Sequence, residues 1–362
     1  MIRALAWVPE TYDTSPGQRY RIEQWEPWLR GEGIEIHYSA FSDASLARSL
    51  KRPGRLLQKA FGVARGLARR AADLRRVKAF DLVYVFREGS LMGPALAERV
   101  LARRGIPMLF DFDDAVWIRY VSPANAYFSY LRFPGKTATL CRLAHHVIAG
   151  NRYLAEYATR YNPAVTIVPS TIDTTKYAFR GPRAIGSRPV IGWTGSYSTG
   201  QYLRLVKAAL ERLRKRHDFR FVVIGPVDFQ ADGVEVEQRP WHSESEVQDL
   251  LDLDVGLMPV PDAEWERGKC GLKALQYMAL GIPPVVSPVG VNSTIVEDGR
   301  NGFLASTEDE WVERLDRLLS SAELRNRIAR EARRTVEREY SAQVQGPRVA
   351  TIMRETAERF RP

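Results

Sequence analysis

The stretch Arg267-Gly268-Lys269-Cys270-Gly271-Leu272 runs a cationic, glycine-containing loop into a helical pattern that ends at Gly281, before Pro283-Pro284-Val285-Val286. The first amides of a helix have no intrahelical partner and its dipole favours an anion there. Beside Lys269, those amides make a place for a phosphate or for sugar hydroxyls. Gln276 follows Lys269 by two turns on roughly the same face, while Leu272, Leu275 and Met278 supply a packing face. Cys270 reads as a small loop residue, although a helix start with cationic neighbours favours a thiolate. A second group is Phe110-Asp111-Phe112-Asp113-Asp114, at the carboxyl end of a predicted strand. Strand alternation puts Asp111 and Asp113 on one side, with Asp114 starting the turn, so the carboxylates either face a ligand or cap that turn. A third is Ser15-Pro16-Gly17-Gln18-Arg19, where a glycine between strand and helix lets backbone amides approach an anion.

Other chemistry-bearing residues have plainer readings. His145-His146 leads into a buried strand, which makes at least one a core histidine. Trp241, after Arg239-Pro240, lies either near a nucleotide base or on a loop surface. The acidic run Asp262-Ala263-Glu264-Trp265-Glu266 is either solvated or touches an acceptor. The carboxylates come with no His/Cys/Asp cluster at metal-ligand spacing, so neither a metal nor another cofactor is expected.

Apolar runs at Ile2–Val8, Ile34–Tyr38, Leu82–Phe86, Pro107–Phe112, His146–Ala149 and Val165–Val168 predict strands. Helical patterns fall between them near Arg19–Arg30, Leu56–Lys78, Leu91–Arg103 and Arg152–Arg160. The turn-rich stretch Asp173–Arg188, with Gly181, Pro182 and Gly186, reads as a linker. After it the alternation restarts with Val190–Trp193, Phe219–Ile224, Asp254–Met258 and Pro284–Ser287 as strands, and charged helices close the chain. The expectation is an α/β protein of two doubly wound, Rossmann-like domains with parallel sheets, residues 1–180 and 181–343, and a C-terminal helix 344–362 returning to the first. Ligands of such sheets bind at the carboxyl ends of the strands.

The stretch 267–286 resembles the signature of the retaining glycosyltransferases of the GT-B fold, family 4, in which a glycine loop leads a helix ending Glu-Ala-Met-Ala-x-Gly-x-Pro-Val-Val. The likeness extends to Val289-Gly290-Val291-Asn292, to the turn Glu297-Asp298-Gly299-Arg300-Asn301-Gly302-Phe303-Leu304, and upstream to Val168-Pro169-Ser170-Thr171-Ile172-Asp173 and His146-Val147-Ile148-Ala149-Gly150-Asn151. It implies two domains facing each other across a cleft and transfer of a sugar from a nucleotide-diphosphate donor to a glycan or lipid-linked saccharide, with retention. Gly268 and Gln276 stand where the family carries two glutamates, and Gly195-Ser196-Tyr197-Ser198-Thr199-Gly200 lacks its phosphate-holding Arg and Lys. The resemblance then assigns the donor to Gly195, Ser196, Thr199, Trp241, Lys269, Cys270, Gly271, Leu272 and Gln276, with Gly17 and Arg19 reaching the leaving diphosphate. Lys269 takes over the missing charge. Asp113 stands where the family's cleft histidine is expected and would orient the acceptor hydroxyl, beside Asp111, Asp114 and Asn292. The departures leave an inactive sugar-nucleotide-binding scaffold as the alternative, and an epimerase on the same fold as another.

Length and charge bound the rest. The chain has 362 residues, 45% of them apolar, enough for two cored domains and too many for a disordered chain. Two cysteines make no disulfide framework, which fits a reducing cytoplasm. The start shows no signal-peptide pattern, and the uncharged run Tyr277–Val296 is broken by prolines and glycines, so a soluble protein is expected. The net charge is +10, and residues 51–80 hold ten Lys/Arg against Asp73 alone, leaving about +1 elsewhere. Apolar residues there recur at Leu57, Phe61, Ala64, Leu67 or Ala68, Ala71, Leu74 and Val77. That is a helix with an apolar stripe and a cationic remainder, its N-terminal half weakened by Gly54, Gly62 and Gly66. The stripe either packs on the sheet, with the cations solvated, or the segment adsorbs to an anionic inner-membrane face. Nucleic acid is disfavoured, because the segment carries no recognisable binding motif.

Overall fold

A computed structural model describes residues 1–50, 54–119, 133–182, 184 and 188–359. Lys51, Arg52 and Gly186 of the patterns above lie outside the described residues. The chain divides into two compact units: Met1–Ser170 with Gln345–Pro362, and Thr171–Val344.

The first unit holds β1 (Ile2–Val8), β2 (Ile34–Ala40), β3 (Leu82–Phe86), β4 (Met108–Phe112), β5 (His146–Ala149) and β6 (Val165–Ile167). They form one parallel sheet in the order β2-β1-β3-β4-β5-β6. β3 and β4 are buried along their whole length, as strands covered on both faces must be. The predicted helix 19–30 leaves helical geometry at Arg21 (φ −126°, ψ −111°), which turns that side chain into the interior. The predicted helix 91–103 begins only at Leu96, because Gly93 takes φ +78° and Pro94 follows it. Helices Ala44–Leu50 and Lys136–Leu143 have too few apolar repeats to be legible in the sequence. The C-terminal helix Ala342–Arg359 joins this unit from Gln345 onward. Gly346 packs against Trp28, and Arg354 Nη2 lies 2.8 Å from Glu32 Oε2.

The basic helix, Leu56–Arg76, does not pack on the sheet through its apolar stripe, which removes the first of the two readings above. Its buried face is Lys59, Gly62, Gly66, Arg70 and Asp73, while Leu57 is 88% and Phe61 66% exposed. The glycines decide this. A Cβ at Gly66 would stand 2.7 Å from the Phe41 ring, and one at Gly62 would stand 2.9 Å from Leu46 Cδ1, so the helix approaches closely only along that stripe. Arg70 then anchors it, donating to Ser39 Oγ (2.9 Å), Ser39 O (3.0 Å), Val8 O (3.3 Å) and Gly89 O (2.5 Å), and stacking over Trp7. One guanidinium thereby satisfies carbonyls at the ends of β1 and β2 and in the turn after β3.

The second unit holds β7 (Val190–Thr194), β8 (Arg220–Ile224), β9 (Glu235–Arg239), β10 (Val255–Met258), β11 (Pro284–Val286) and β12 (Phe303–Leu304). These pair in parallel in the order β12-β11-β10-β7-β8-β9. Ile191, Trp193, Leu210, Phe221, Leu257, Trp311 and Leu315 join one core cluster. The helix Glu308–Ser320 starts on a capping box between Thr307 and Glu310. The described part of the expected linker is fastened to this unit instead. Ile172 exchanges backbone hydrogen bonds with Tyr340 and Ala342, Tyr177 is buried, and Arg180 donates to Leu251 O at 3.1 Å. Its turn residues signal irregular backbone, which these aromatic and cationic side chains then fix in place.

Candidate active site

The strand order of each parallel sheet reverses once, between β1 and β3 in the first unit and between β7 and β10 in the second. In open parallel sheets such reversals open a crevice at the carboxyl ends of the strands, and the sequence-derived candidates gather at both edges.

In the second unit, β7 ends in Gly195, where a Cβ would meet Trp193 Cζ2 at 2.5 Å and Thr199 Oγ1 at 2.7 Å. Ser196 is exposed there. Thr199 is buried and its hydroxyl donates to Ser196 O at 3.2 Å, so it closes its own turn and is not a free donor to a phosphate. Across the reversal point the helix Leu272–Leu280 begins at Gly271, with φ +67° and no side-chain cap. A Cβ at Gly271 would overlap Ile295 Cδ1, so conformation and space both require glycine. Gly271 thus supplies no side chain to cap the first-turn amides, which point toward the segment before the helix. Lys269 is half-buried in the preceding loop, and its amide donates to Glu266 O at 3.1 Å. Cys270 is buried, as a small loop residue would be. Lys273, which the sequence reading passed over, stands 5.6 Å from the Trp193 ring centroid, so the helix start carries two ammonium groups. Asn292, expected to face the acceptor, is instead 2% exposed. It donates to Ser287 O at 3.0 Å and holds its loop against Gly271.

Gln276 and Trp241 also turn away from the expected role. Both donate to Glu246 Oε1, at 3.2 and 3.0 Å, and Tyr177 donates to Glu246 Oε2 at 2.8 Å. Gln276 Nε2 reaches the Tyr177 hydroxyl as well, at 3.3 Å, and all but Trp241 are buried. This network explains the glutamine. A glutamate at 276 would press a second carboxylate onto Glu246, whereas an amide donates to it. Nothing in the local sequence marks Glu246, because its partners lie 5, 30 and 69 residues away.

In the first unit Asp111 is fully buried, against the expectation that it faces a ligand. Arg21 holds it with Nε at 2.8 Å and Nη2 at 2.6 Å, and the Tyr84 hydroxyl also donates to it. Burial works against the Arg21 charge, but the Asp111 carboxylate more than offsets that and lifts the guanidinium above its ordinary value. Asp113 and Asp114 are bridged by Arg87, Nε to Asp113 Oδ1 and Nη2 to Asp114 Oδ2, both at 2.6 Å. Burial raises the Asp113 carboxyl, yet the Arg87 charge and hydrogen bond prevail and hold it below its ordinary value. Arg87 takes φ +58°, uncommon for a residue with a side chain, and is held there by its amide donating to Asp111 O at 2.7 Å. Gly17 touches this pair: a Cβ there would lie 2.5 Å from Arg87 Nη2 and 2.8 Å from Asp113 Oδ2. Arg19, expected to reach a phosphate, is 7% exposed and paired with Asp13 at 2.7 Å. A charged residue just past the apolar run 82–86 was the signal for Arg87; for Arg21 there was none. His145 Nδ1 accepts from Met108 N at 3.1 Å and His146 meets Thr166 Oγ1 at 2.9 Å. Both are half-buried rather than in the core, and burial lowers both imidazoles.

Residues 188–321 match the family described as glycosyl transferases group 1. Among solved structures, Anabaena HepE in complex with UDP and glucose superposes with a TM-score of 0.71 at 14% identity, over 98% of this chain and 100% of that one. Sucrose-phosphate synthase from Thermosynechococcus elongatus gives 0.68 at 14% identity over 98% of each chain. The fold is that of the GT-B glycosyltransferases. Sequence likeness to individual proteins is local. Spore coat protein SA of Bacillus subtilis is 34% identical over 71 residues, 19% of either chain. A D-inositol 3-phosphate glycosyltransferase of a Nocardioides species is 39% identical over 61 residues, 16% of this chain and 13% of its own. The matched stretches thus span less than a fifth of these curated relatives. The GT-B architecture accounts for twin parallel sheets with the candidate residues at their carboxyl edges.

Proposed function

We propose that the chain is a glycosyltransferase that moves a sugar from a nucleotide-diphosphate donor to a glycan or lipid-linked saccharide in polysaccharide biosynthesis, with retention. The observation that carries this is the uncapped helix start at Gly271, flanked by Lys269 and Lys273, inside the segment that matches the glycosyl transferases group 1 family. Charge develops on the diphosphate as the glycosidic bond to the donor breaks. Lys269 and the amides of Cys270 and Gly271 are the groups assigned to stabilise it, Leu272 continues that first turn, and one such preorganised donor is worth about 3–4 kcal/mol. The UDP and glucose bound by the HepE neighbour make UDP-sugars the first donors to screen, before GDP- and dTDP-sugars.

Asp113 is assigned to the acceptor. Held below its ordinary value by Arg87, it is a weak base at neutral pH and a good hydrogen-bond acceptor, so it orients a hydroxyl rather than removing its proton. Arg87 positions it. The acceptor reading also places the protein at an anionic membrane face through residues 51–80. Among the described residues no helix is long and apolar enough to cross a membrane.

Incubation with each donor, followed by release of the free nucleoside diphosphate, tests the reading. Slow donor hydrolysis that Lys269→Ala abolishes is expected. Gly268 in place of the family's glutamate favours one second reading, a scaffold that binds the donor without turnover. Calorimetric donor binding with neither hydrolysis nor transfer would establish that reading and refute the enzyme.

A further inference from the structure

The basic helix is amphipathic in the wrong direction for a core element, since its buried stripe is glycine and charge while its solvent face carries the large apolar side chains. Leu57, Phe61, Ala64, Ala68 and Ala71 recur at spacings of three and four and line up along the side opposite Gly62, Gly66, Arg70 and Asp73. Leu56 is 61% and Leu67 49% exposed beside them. Exposed cations surround this ridge: Arg55, Arg65, Arg75, Arg76 and Lys78 on the helix and just past it, and Arg48 on the neighbouring helix. Asp43 pairs with Arg65 at 2.5 Å and Asp73 with Arg76 at 2.9 Å, which leaves the patch strongly positive.

We propose that this face inserts into an anionic lipid surface, with Leu57 and Phe61 entering the headgroup–acyl boundary and the surrounding cations meeting lipid phosphates. This rests on the membrane partner proposed above and deepens it from adsorption by charge to insertion by a defined ridge. The helix, about 30 Å long, lies flat on the surface. Charge selects the occupant. A second copy of the chain would bring two positive patches together, and a nucleic-acid backbone offers nothing to exposed leucines, whereas anionic lipid answers both the ridge and its border. Arg70 fixes the orientation, because its bonds to Ser39, Val8 and Gly89 prevent the helix from rolling its apolar side inward.

Flotation of the full chain with phosphatidylcholine vesicles, with and without phosphatidylglycerol, tests this. Binding is expected only with the anionic lipid, and added salt weakens it without removing it. The Leu57→Asp/Phe61→Asp double variant, and Leu67→Asp separately, should keep the wild-type melting temperature, because these side chains are exposed. The double variant should lower partitioning about tenfold or more at any salt concentration. Flotation unchanged by the double variant, or no flotation of the wild type, overturns the proposal. So does a dimer in sedimentation, without vesicles, that the same substitutions dissolve. UDP-sugar binding measured on the same preparations separates the two readings: loss of flotation with donor binding intact confirms insertion without touching the donor site, and donor binding absent from the wild type refutes the donor site alone.

Discussion

Replacing Gln276 by glutamate restores the residue type usual in the resembling family, and here it should destabilise the fold. Gln276 Nε2 lies 3.2 Å from Glu246 Oε1, and both residues are nearly inaccessible, at 3% and 4%. Gln276→Glu exchanges a donated hydrogen bond for a like charge at that distance. At an effective dielectric constant of 20 the repulsion is about 5 kcal/mol, enough to lift the introduced carboxyl's titration well above the ordinary glutamate value of about 4.3. The sign follows from proton binding. A carboxyl raised in the folded state binds more protons folded than unfolded, so stability falls as pH rises through that window. Urea unfolding of wild type and variant should therefore differ by about 3–4 kcal/mol at pH 7 and converge near pH 4.5. Glu246→Gln in the Gln276→Glu background should recover most of the loss, a coupling read from a double-mutant cycle. A pH-independent difference, or no rescue, would refute the account of this network.

Four further outcomes follow from the two edges. Gly271→Ala forces a side chain into φ +67° against Ile295 and should cost about 2–3 kcal/mol in urea unfolding while removing donor-induced thermal stabilisation. Gly17→Ala meets only the flexible end of Arg87 and Asp113 Oδ2, so stability should change by less than about 1 kcal/mol. Turnover should fall at least tenfold as the pair is displaced. In the wild type, Asp113 contributes stability above its unfolded value and loses it only as pH falls through its depressed folded value. The pH–rate profile should accordingly show no acid limb from this carboxylate between pH 5 and 8. Arg87→Ala leaves Asp113 buried without that partner, so unfolding should cost about 3 kcal/mol less and an acid limb should enter that range.

Strand positions were legible because buried parallel strands are continuous apolar runs; Leu82–Phe86 and the predicted 107–112 segment agree with β3 and β4 within a residue. Short or weakly apolar elements were not. β9, Glu235–Arg239, holds one apolar residue, Val236, among charged and polar ones at a sheet edge, and helix Lys136–Leu143 has few apolar repeats. The basic helix lies where its periodicity puts it and its facing stays open in the sequence, because periodicity reports that a helix has two sides and not which side a glycine stripe allows inward. At the site, Gly17, Gly195, Gly271 and Lys269 carry signals that local sequence does encode: a turn after a strand, or a loop leading into a helix. They do not show that Asp111, Arg19, Asn292 and Gln276 are buried and committed to protein partners, Asp111 and Gln276 to ones far away in sequence. Burial and long-range pairing, which local sequence does not encode, separate those two groups.

Calorimetric titration of UDP-, GDP- and dTDP-sugars into the full chain and into its Lys269→Ala variant bears most directly on the assignment of the helix start at Gly271. Saturable binding of at least one nucleotide sugar by the wild type, lost or weakened tenfold or more in Lys269→Ala, is the predicted result. Binding that the substitution leaves unchanged, or no binding of any of the three, would contradict it.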